Sequence, residues 1–428
     1  MSLQFNRQPQ TSQPTPTPQS PPVQVTKIGI QGLGVGTPPG IPELVVGNKV
    51  QTPRTPPPIA MPGANLDRAI DYYADYGGCG FWRMAWPNTL MNMNQKGIIN
   101  GLTSMVLDPR FYQGIKAVRL QRQATPMQLE FVKFLKHFAQ QHDYKVIYEI
   151  DDIIFKDDIP DFNRCKQAFE DERILQSSIE MMQMCDEISV TCQYMKDYYM
   201  NKTGNKNITV IPNYPPRMWL GNRYDKQRLS KCYNKFKKRP RITYIGSATH
   251  IDVINKTNQQ DDFCNVVDEI IKSRKKFEWV FVGCFPLRCK PFIDSGEMEY
   301  ISWFPLMNLI EAYTTTNTNA VYAPLVDCHF NRAKSNIKYL EAACAGIPGV
   351  FQDMVTYKDA PLKFKTGADL VSQMETLLKD ESTYMKYSKK AYEYANTMWL
   401  DDKLDEYQEL YFTKFGSPER KALLKNNP

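Results

Sequence analysis

FNRAKSNIKYLEAACAGIPGVF, Phe330 to Phe351, carries a helix pattern that ends on a glycine and a proline. Ile337, Leu340 and Cys344 recur at helical spacing, Gly346 stands where a helix would stop, and Pro348 prevents its continuation. AVYAPL (Ala320–Leu325) before it and IPGVF (Ile347–Phe351) after it are short and apolar, as buried parallel strands are. The spacing predicts a strand–helix–strand unit with Arg332, Lys334 and Ser335 at the helix start. Free backbone N–H groups and the helix dipole favour a phosphate there. Glu341 follows Lys334 by seven residues, so on one helix both side chains point to nearly the same side, roughly 10 Å apart along the axis. A cation at the start and a carboxylate two turns on suit a diphosphate and the ribose hydroxyls of one nucleotide. An amphipathic helix with a solvated Lys/Glu face has the same spacing, and spacing alone does not separate the two.

Working outward, short apolar runs alternate with longer helical patterns from Leu66 onward. SMVLD, KAVRL, KVIYEID, EISVT and NITVIPN read as strands of a first set; RITYIG, EWVFVG, MEYISWF, AVYAPL and IPGVF read as strands of a second. This alternation implies an α/β fold in which parallel sheets are covered by helices. The boundaries expected are 63–213 for a first Rossmann-like domain, 214–240 for a basic link, and 241–400 for a second Rossmann-like domain. Ligands of such sheets bind outside the carboxyl ends of the strands, so chemistry is expected in the cleft between the domains.

A chain of 428 residues with 42% hydrophobic content can bury two ordinary cores. Its 10 cysteines include no CxxC pair and no Cys/His cluster at zinc spacing. With no signal peptide and no apolar run long enough to span a bilayer, the sequence reads as a reduced, soluble, cytoplasmic protein without membrane partners. A net charge of +7 permits a polyanionic partner without demanding one. Residues 1–62 hold 14 of the 30 prolines and read as a low-complexity arm that cannot order itself alone. A GxGxG string lies within Ile28–Gly40, but Pro38, Pro39 and Pro42 follow it where a dinucleotide fingerprint needs a helix.

KSNIKYLEAACAGIPGV resembles the nucleotide-sugar helix of GT-B glycosyltransferases of the GT4-like kind. YGGCGFWRMAWP, VRLQRQAT, KVIYEIDDIIF, MCDEISVTCQYM, VIPNY and ITYIGSATHID are similar to successive blocks of bacteriophage-encoded members. The resemblance covers most of Ile70 to about Asp401 and is nearest to T-even-type phage enzymes that glycosylate 5-hydroxymethylcytosine in DNA, arabinosyltransferases in particular. It implies two Rossmann-like domains facing a central cleft, with the closing segment, 401–428, returning to the first. It also implies a UDP-sugar co-substrate, no further cofactor or metal, double-stranded phage DNA as acceptor and the host cytoplasm as location. Related enzymes carry a second acidic residue eight positions before the Glu of the donor helix. Here that position is Ala333, so neither the sugar nor the stereochemical outcome carries over.

Candidate site residues follow from both readings. GGCGF (Gly77–Phe81) is a glycine turn leading into a helix, where backbone amides can approach a phosphate or sugar closely; Gly78, Gly80 and Arg83 are expected to face the donor. A tight turn without a ligand has the same composition. Glu149, Asp151 and Asp152 end the strand KVIYEIDD over the cleft. Asp151 or Asp152 is the expected base of an inverting reaction, N-capping and an inter-strand salt link being the alternatives. Glu149 with Asp151 would form a DxD-like metal site only in a GT-A fold. GSATHID (Gly246–Asp252) offers Ser247 and His250 to phosphate or sugar oxygens, a structural histidine being the alternative. The resemblance implies that ISWFPL (Ile301–Leu306) holds the donor base with Trp303 beside it, whereas Trp303 and Phe304 equally suit the core. Arg332, Lys334, Ser335 and Glu341 complete the donor side, Lys334 also stabilising the leaving group. Trp82 is expected to stack a flipped base and Arg217 to meet the acceptor. The basic stretch Lys231–Arg241, with Tyr214, Trp219, Tyr233 and Phe236 interleaved nearby, suits a nucleic acid or a solvated linker.

Overall fold

In the computed structural model, which describes residues 66–252 and 260–418, one sheet is built from β1 (Arg68–Tyr72), β2 (Ile98–Leu102), β3 (Ala117–Gln121), β4 (Lys145–Glu149), β5 (Glu187–Val190) and β6 (Ile208–Val210). A second contains β7 (Arg241–Ile245), β8 (Glu278–Val282), β9 (Glu299–Ile301), β10 (Ala320–Ala323), β11 (Gly349–Gln352) and β12 (Lys363–Phe364). Their orders are β2-β1-β3-β4-β5-β6 and β12-β11-β10-β7-β8-β9. Every strand pair in both sheets is parallel. Continuous apolar runs such as Glu278–Val282 therefore have both faces covered. The order reverses between β1 and β3 in the first sheet and between β7 and β10 in the second. Loops leaving those strands diverge and open a crevice, which is where such sheets take ligands.

Helix boundaries follow local chemistry. Thr125 accepts from Gln128 N while the Gln128 side chain returns to Thr125 N, and this capping box starts Pro126–His142. Leu129, Val132, Leu135 and Ala139 then bury one stripe of that helix. The closing helix Leu404–Phe412 packs on Trp86–Met93 beside the first sheet, and its Tyr411 hydroxyl reaches Asp71 and Arg119 of β1 and β3. The described residues, 66–252 and 260–418, belong to one compact unit. The 1–62 arm, the GxGxG string and the end of the 401–428 segment lie outside the described residues.

Several expectations need correction. SMVLD forms no strand; the edge strand β2 lies earlier, at Ile98–Leu102, and β1, which the strand signals miss, lies beside it. Asp71 in β1 and Asn100-Gly101 in β2 break the apolar run that signals a strand. The 214–240 link carries two helices, Arg217–Leu220 and Lys226–Lys235, and the second packs through Leu229, Cys232 and Tyr233 against Glu381–Asn396. No helix among the described residues is long and apolar enough to cross a membrane.

Candidate functional site

The first half of the site is built where β1, β3 and β4 end. After β1 the chain turns through Asp75, and the helix begins at Gly78. Asp75 accepts from Gly80 N at 3.2 Å and from Arg122 at 2.5 Å. A Cβ on Gly80 would lie 1.9 Å from the Asp75 carbonyl oxygen, so the turn requires glycine there, whereas Gly78 faces open space. Arg122 follows β3 at φ 41°, in the left-handed region. From there its guanidinium reaches Asp151 at 3.6 Å and Asp152 at 3.8 Å, just past β4. Burial raises the Asp151 carboxyl above its ordinary range, with Arg122 opposing and Asp152 reinforcing the shift. Cys79 Sγ and the Asp151 and Asp152 carboxylates lie within 4.8 Å of one another, close enough to share a cation. Arg122 and Lys334 already supply positive charge there.

Glu149 and Arg83 do not belong to this surface. Arg83 is fully buried and spends its donors on Glu149, the Ile211 carbonyl and Asn213. Arg119 holds the other Glu149 oxygen at 2.5 Å, and Ser189 donates to it as well. Burial alone would raise Glu149; the Arg119 and Arg83 guanidiniums instead hold it at about 2. The cluster is a charge network inside the first sheet. Arg83 as a cleft cation is corrected by it. Trp82 is buried too, in an aromatic cluster with Trp219, and cannot stack a flipped base. Arg217 is half-exposed and held by Asp402. Tyr214, Trp219 and Tyr233 are core residues, so of the interleaved aromatics only Phe236 reaches the surface.

The second half is built where β7 and β10 end. Past β7, Gly246 and Ser247 lead to His250, whose Nδ1 pairs with Asp262 at 2.7 Å. Asp262 also accepts from Asn331 and from Val326 N. Burial, then the charge of Lys338, lowers the His250 pKa to about 4 despite Asp262, so the ring is neutral with Nδ1–H donating to Asp262. Nε2 has no partner among the described residues and is left as an acceptor, not the donor expected for a phosphate. Trp303 is 47% exposed; one face packs on Gly283, while Phe304 joins the core.

The helix expected to hold the donor is shorter than its sequence suggests. A turn, His329–Arg332, is followed by a break, and the helix proper runs Ile337–Cys344. Lys334 and Ser335 lie in the break, so the axial spacing from Lys334 to Glu341 does not apply. Arg332 turns outward to Asp327. Lys334 crosses to the first sheet and meets Asp152 at 2.5 Å, which keeps the ammonium charged against burial. Ser335 Oγ accepts from Asn213 at 2.9 Å. Glu341 is 5% exposed, not partly open, and accepts from the Tyr313 hydroxyl at 2.8 Å. Burial raises its carboxyl to about 7. Ala333 is buried in the core of the first domain together with Phe330, so a carboxylate at that position would be buried there as well. Lys338, on the first turn of the helix, enters the site without any signal in the sequence reading. Only the seating of Ile337, Leu340 and Cys344 on the core would have placed it facing the cleft.

No protein-family model matches the chain. No curated protein matches it either. Solved structures do. Anabaena HepE in complex with UDP-glucose superposes with a TM-score of 0.52 at 9% identity, covering 81% of this chain and 100% of that one. HepE with UDP and glucose gives 0.51 at 8% identity, over 80% of this chain and 98% of that one. The N-terminal domain of trehalose-6-phosphate phosphatase from Candida albicans gives 0.51 at 8%, over 81% and 97%. The likeness establishes the fold: two parallel six-stranded sheets with covering helices in the GT-B arrangement.

Proposed function

We propose that the chain is a nucleotide-sugar-dependent glycosyltransferase, a hexosyl- or pentosyltransferase, moving a sugar from a UDP-linked donor to a hydroxyl. The observation that carries this is the convergence of both switch points on one cleft. Lys334 and Ser335 precede the Ile337–Cys344 helix and contact Asp152 and Asn213 of the facing domain, with Asp151 and Arg122 alongside. Glu341 suits the ribose hydroxyls, and positive charge on this helix suits the departing diphosphate, whose growing charge it stabilises without a metal. Asp151, its carboxyl raised by burial, suits a general base if the reaction inverts. The UDP in HepE favours uridine as the nucleoside.

For the acceptor, the reading is 5-hydroxymethylcytosine in double-stranded phage DNA, with arabinose or glucose as the sugar. Its support is the block-by-block resemblance, together with exposed Lys226, Lys231, Lys235, Lys237 and Lys238 along one segment. Those lysines are suited to a phosphate backbone. Mass spectrometry of nucleosides from hydroxymethylated DNA, incubated with the protein and a panel of UDP-sugars, tests both halves. A glycosylated hydroxymethylcytidine is the expected product. UDP release without modified nucleoside would keep the transferase and reject the DNA acceptor, in favour of a polysaccharide or protein. No turnover of any UDP-sugar would favour a non-catalytic interaction protein.

A further inference from the structure

Among the cleft cations, Arg122 has Asp75, Asp151 and Asp152, and Lys334 has Asp152. Lys338 forms no ion pair among the described residues. Its ammonium donates to the Tyr244 hydroxyl at 3.0 Å and lies 4.4 Å from the centre of that ring. The acidic groups nearest to it are occupied elsewhere: Asp262 by His250, Asn331 and Val326 N, and Glu341 by Tyr313. The other titratable groups facing it are Lys334, the Cys284 thiol and neutral His250. Cys284 donates to the Ser247 carbonyl. Lys338 keeps part of its surface open to solvent while protein surrounds it, as a group on a cleft floor does.

We propose that Lys338 is the cation that receives the diphosphate of the donor, and that Lys334 serves chiefly to hold the two domains together through Asp152. This rests on the reading of the cleft as a nucleotide-sugar site. A partly buried ammonium with no counter-ion among the described residues, on the first turn of an eight-residue helix, is an incomplete ion pair. An incoming dianion completes it. The cavity under Lys338, lined by Ile245, Tyr313, Val321, Tyr322 and Phe351, holds only about 10 Å³, so the anion must lie on the cleft side. Burial, aided by the neighbouring Lys334 charge, pushes the Lys338 pKa down to about 8. A bound anion raises it again, so binding at pH 8 draws in a proton, and affinity falls as pH climbs above that value.

Calorimetry on the full chain tests this with UDP, UMP, uridine and inorganic pyrophosphate, in buffers of differing ionisation enthalpy. The parent is expected to prefer UDP over uridine and to take up protons with UDP at pH 8. Lys338→Met should lower that preference at least tenfold with uridine affinity unchanged, and Lys338→Arg should restore it. Pyrophosphate binding to the parent but not to Lys338→Met would support the same assignment. A Lys338→Met protein that still prefers UDP as strongly overturns the proposal. Should that variant not fold, UDP binding to the parent with no proton uptake at pH 8 overturns it. A parent that binds neither UDP nor uridine defeats the nucleotide-sugar reading, and this inference with it.

Discussion

Glu341, hydrogen-bonded to Tyr313 and shut away from solvent, has its carboxyl raised from 4.5 to about 7. The native state thus keeps this proton to higher pH than the unfolded chain does. Between about 4.5 and 7 the native state binds more protons, so this group's contribution to stability falls as pH rises through that window. Glu341→Gln removes the loss. Thermal unfolding should show the variant gaining on the parent from pH 4.5 to pH 8, by at most ~3 kcal/mol. Identical pH slopes would show that Glu341 is ionised in the native protein. The residue itself was legible from LEAACAG; its burial was not, because Tyr313 comes from a separate helix that periodicity cannot bring to it. The charges of Arg83, Arg119 and Glu149 were equally silent. Each reads as a polar position in its own segment, and only strand order and register set β3 beside β4 and bring Arg119 to Glu149.

The glycine-led helix after β1 and the broken helix after β10 carry the site. Gly80→Ala forces a methyl onto the Asp75 carbonyl and should destabilise the protein by about 2–4 kcal/mol. Gly78→Ala meets nothing within 4 Å and should change stability by no more than about 0.5 kcal/mol. Chemical denaturation of the two variants checks the contrast, and equal costs would refute the turn geometry. Gly78→Ala is also the sharper probe of function. If a donor approaches the amides of this turn, turnover falls while the midpoint of unfolding stays put. At this scale the strands from KAVRL to IPGVF were legible, since parallel strands buried on both faces are continuous apolar runs. The helix break at Ala333–Asn336 was not. Nothing in RAKSN forbids a helix; what interrupts it is the docking of Phe330 and Ala333 into the facing domain and the reach of Lys334 to Asp152.

Across the whole molecule, two of the ties between distant parts of the chain bear on stability and on the cleft. Tyr411 donates to Asp71 across 340 positions, and Arg119 donates to Tyr411. Burial raises Asp71 to about 6 against the pull of Arg119, so the Tyr411 hydroxyl matters to an acid that is costly to ionise. Tyr411→Phe leaves buried polar atoms unpaired and should cost about 1–3 kcal/mol in equilibrium unfolding. A neutral result would mean that water replaces the hydroxyl. The second tie, Lys334–Asp152, links the two sheets' domains across the cleft. The two-sheet plan and the cleft were legible from alternation and the donor-helix motif, whereas the partners across the cleft depend on loops that pattern does not orient. The central claim is that this cleft turns over a nucleotide-sugar. UDP release from a panel of UDP-sugars, parent against Glu341→Ala at matched folding, is the decisive comparison. Release from at least one donor by the parent is expected, slowed roughly five- to a hundredfold in the variant, as loss of a buried hydrogen bond to the ribose of about 1–3 kcal/mol implies. Absence of release from every donor, or equal rates in the two proteins, would contradict it.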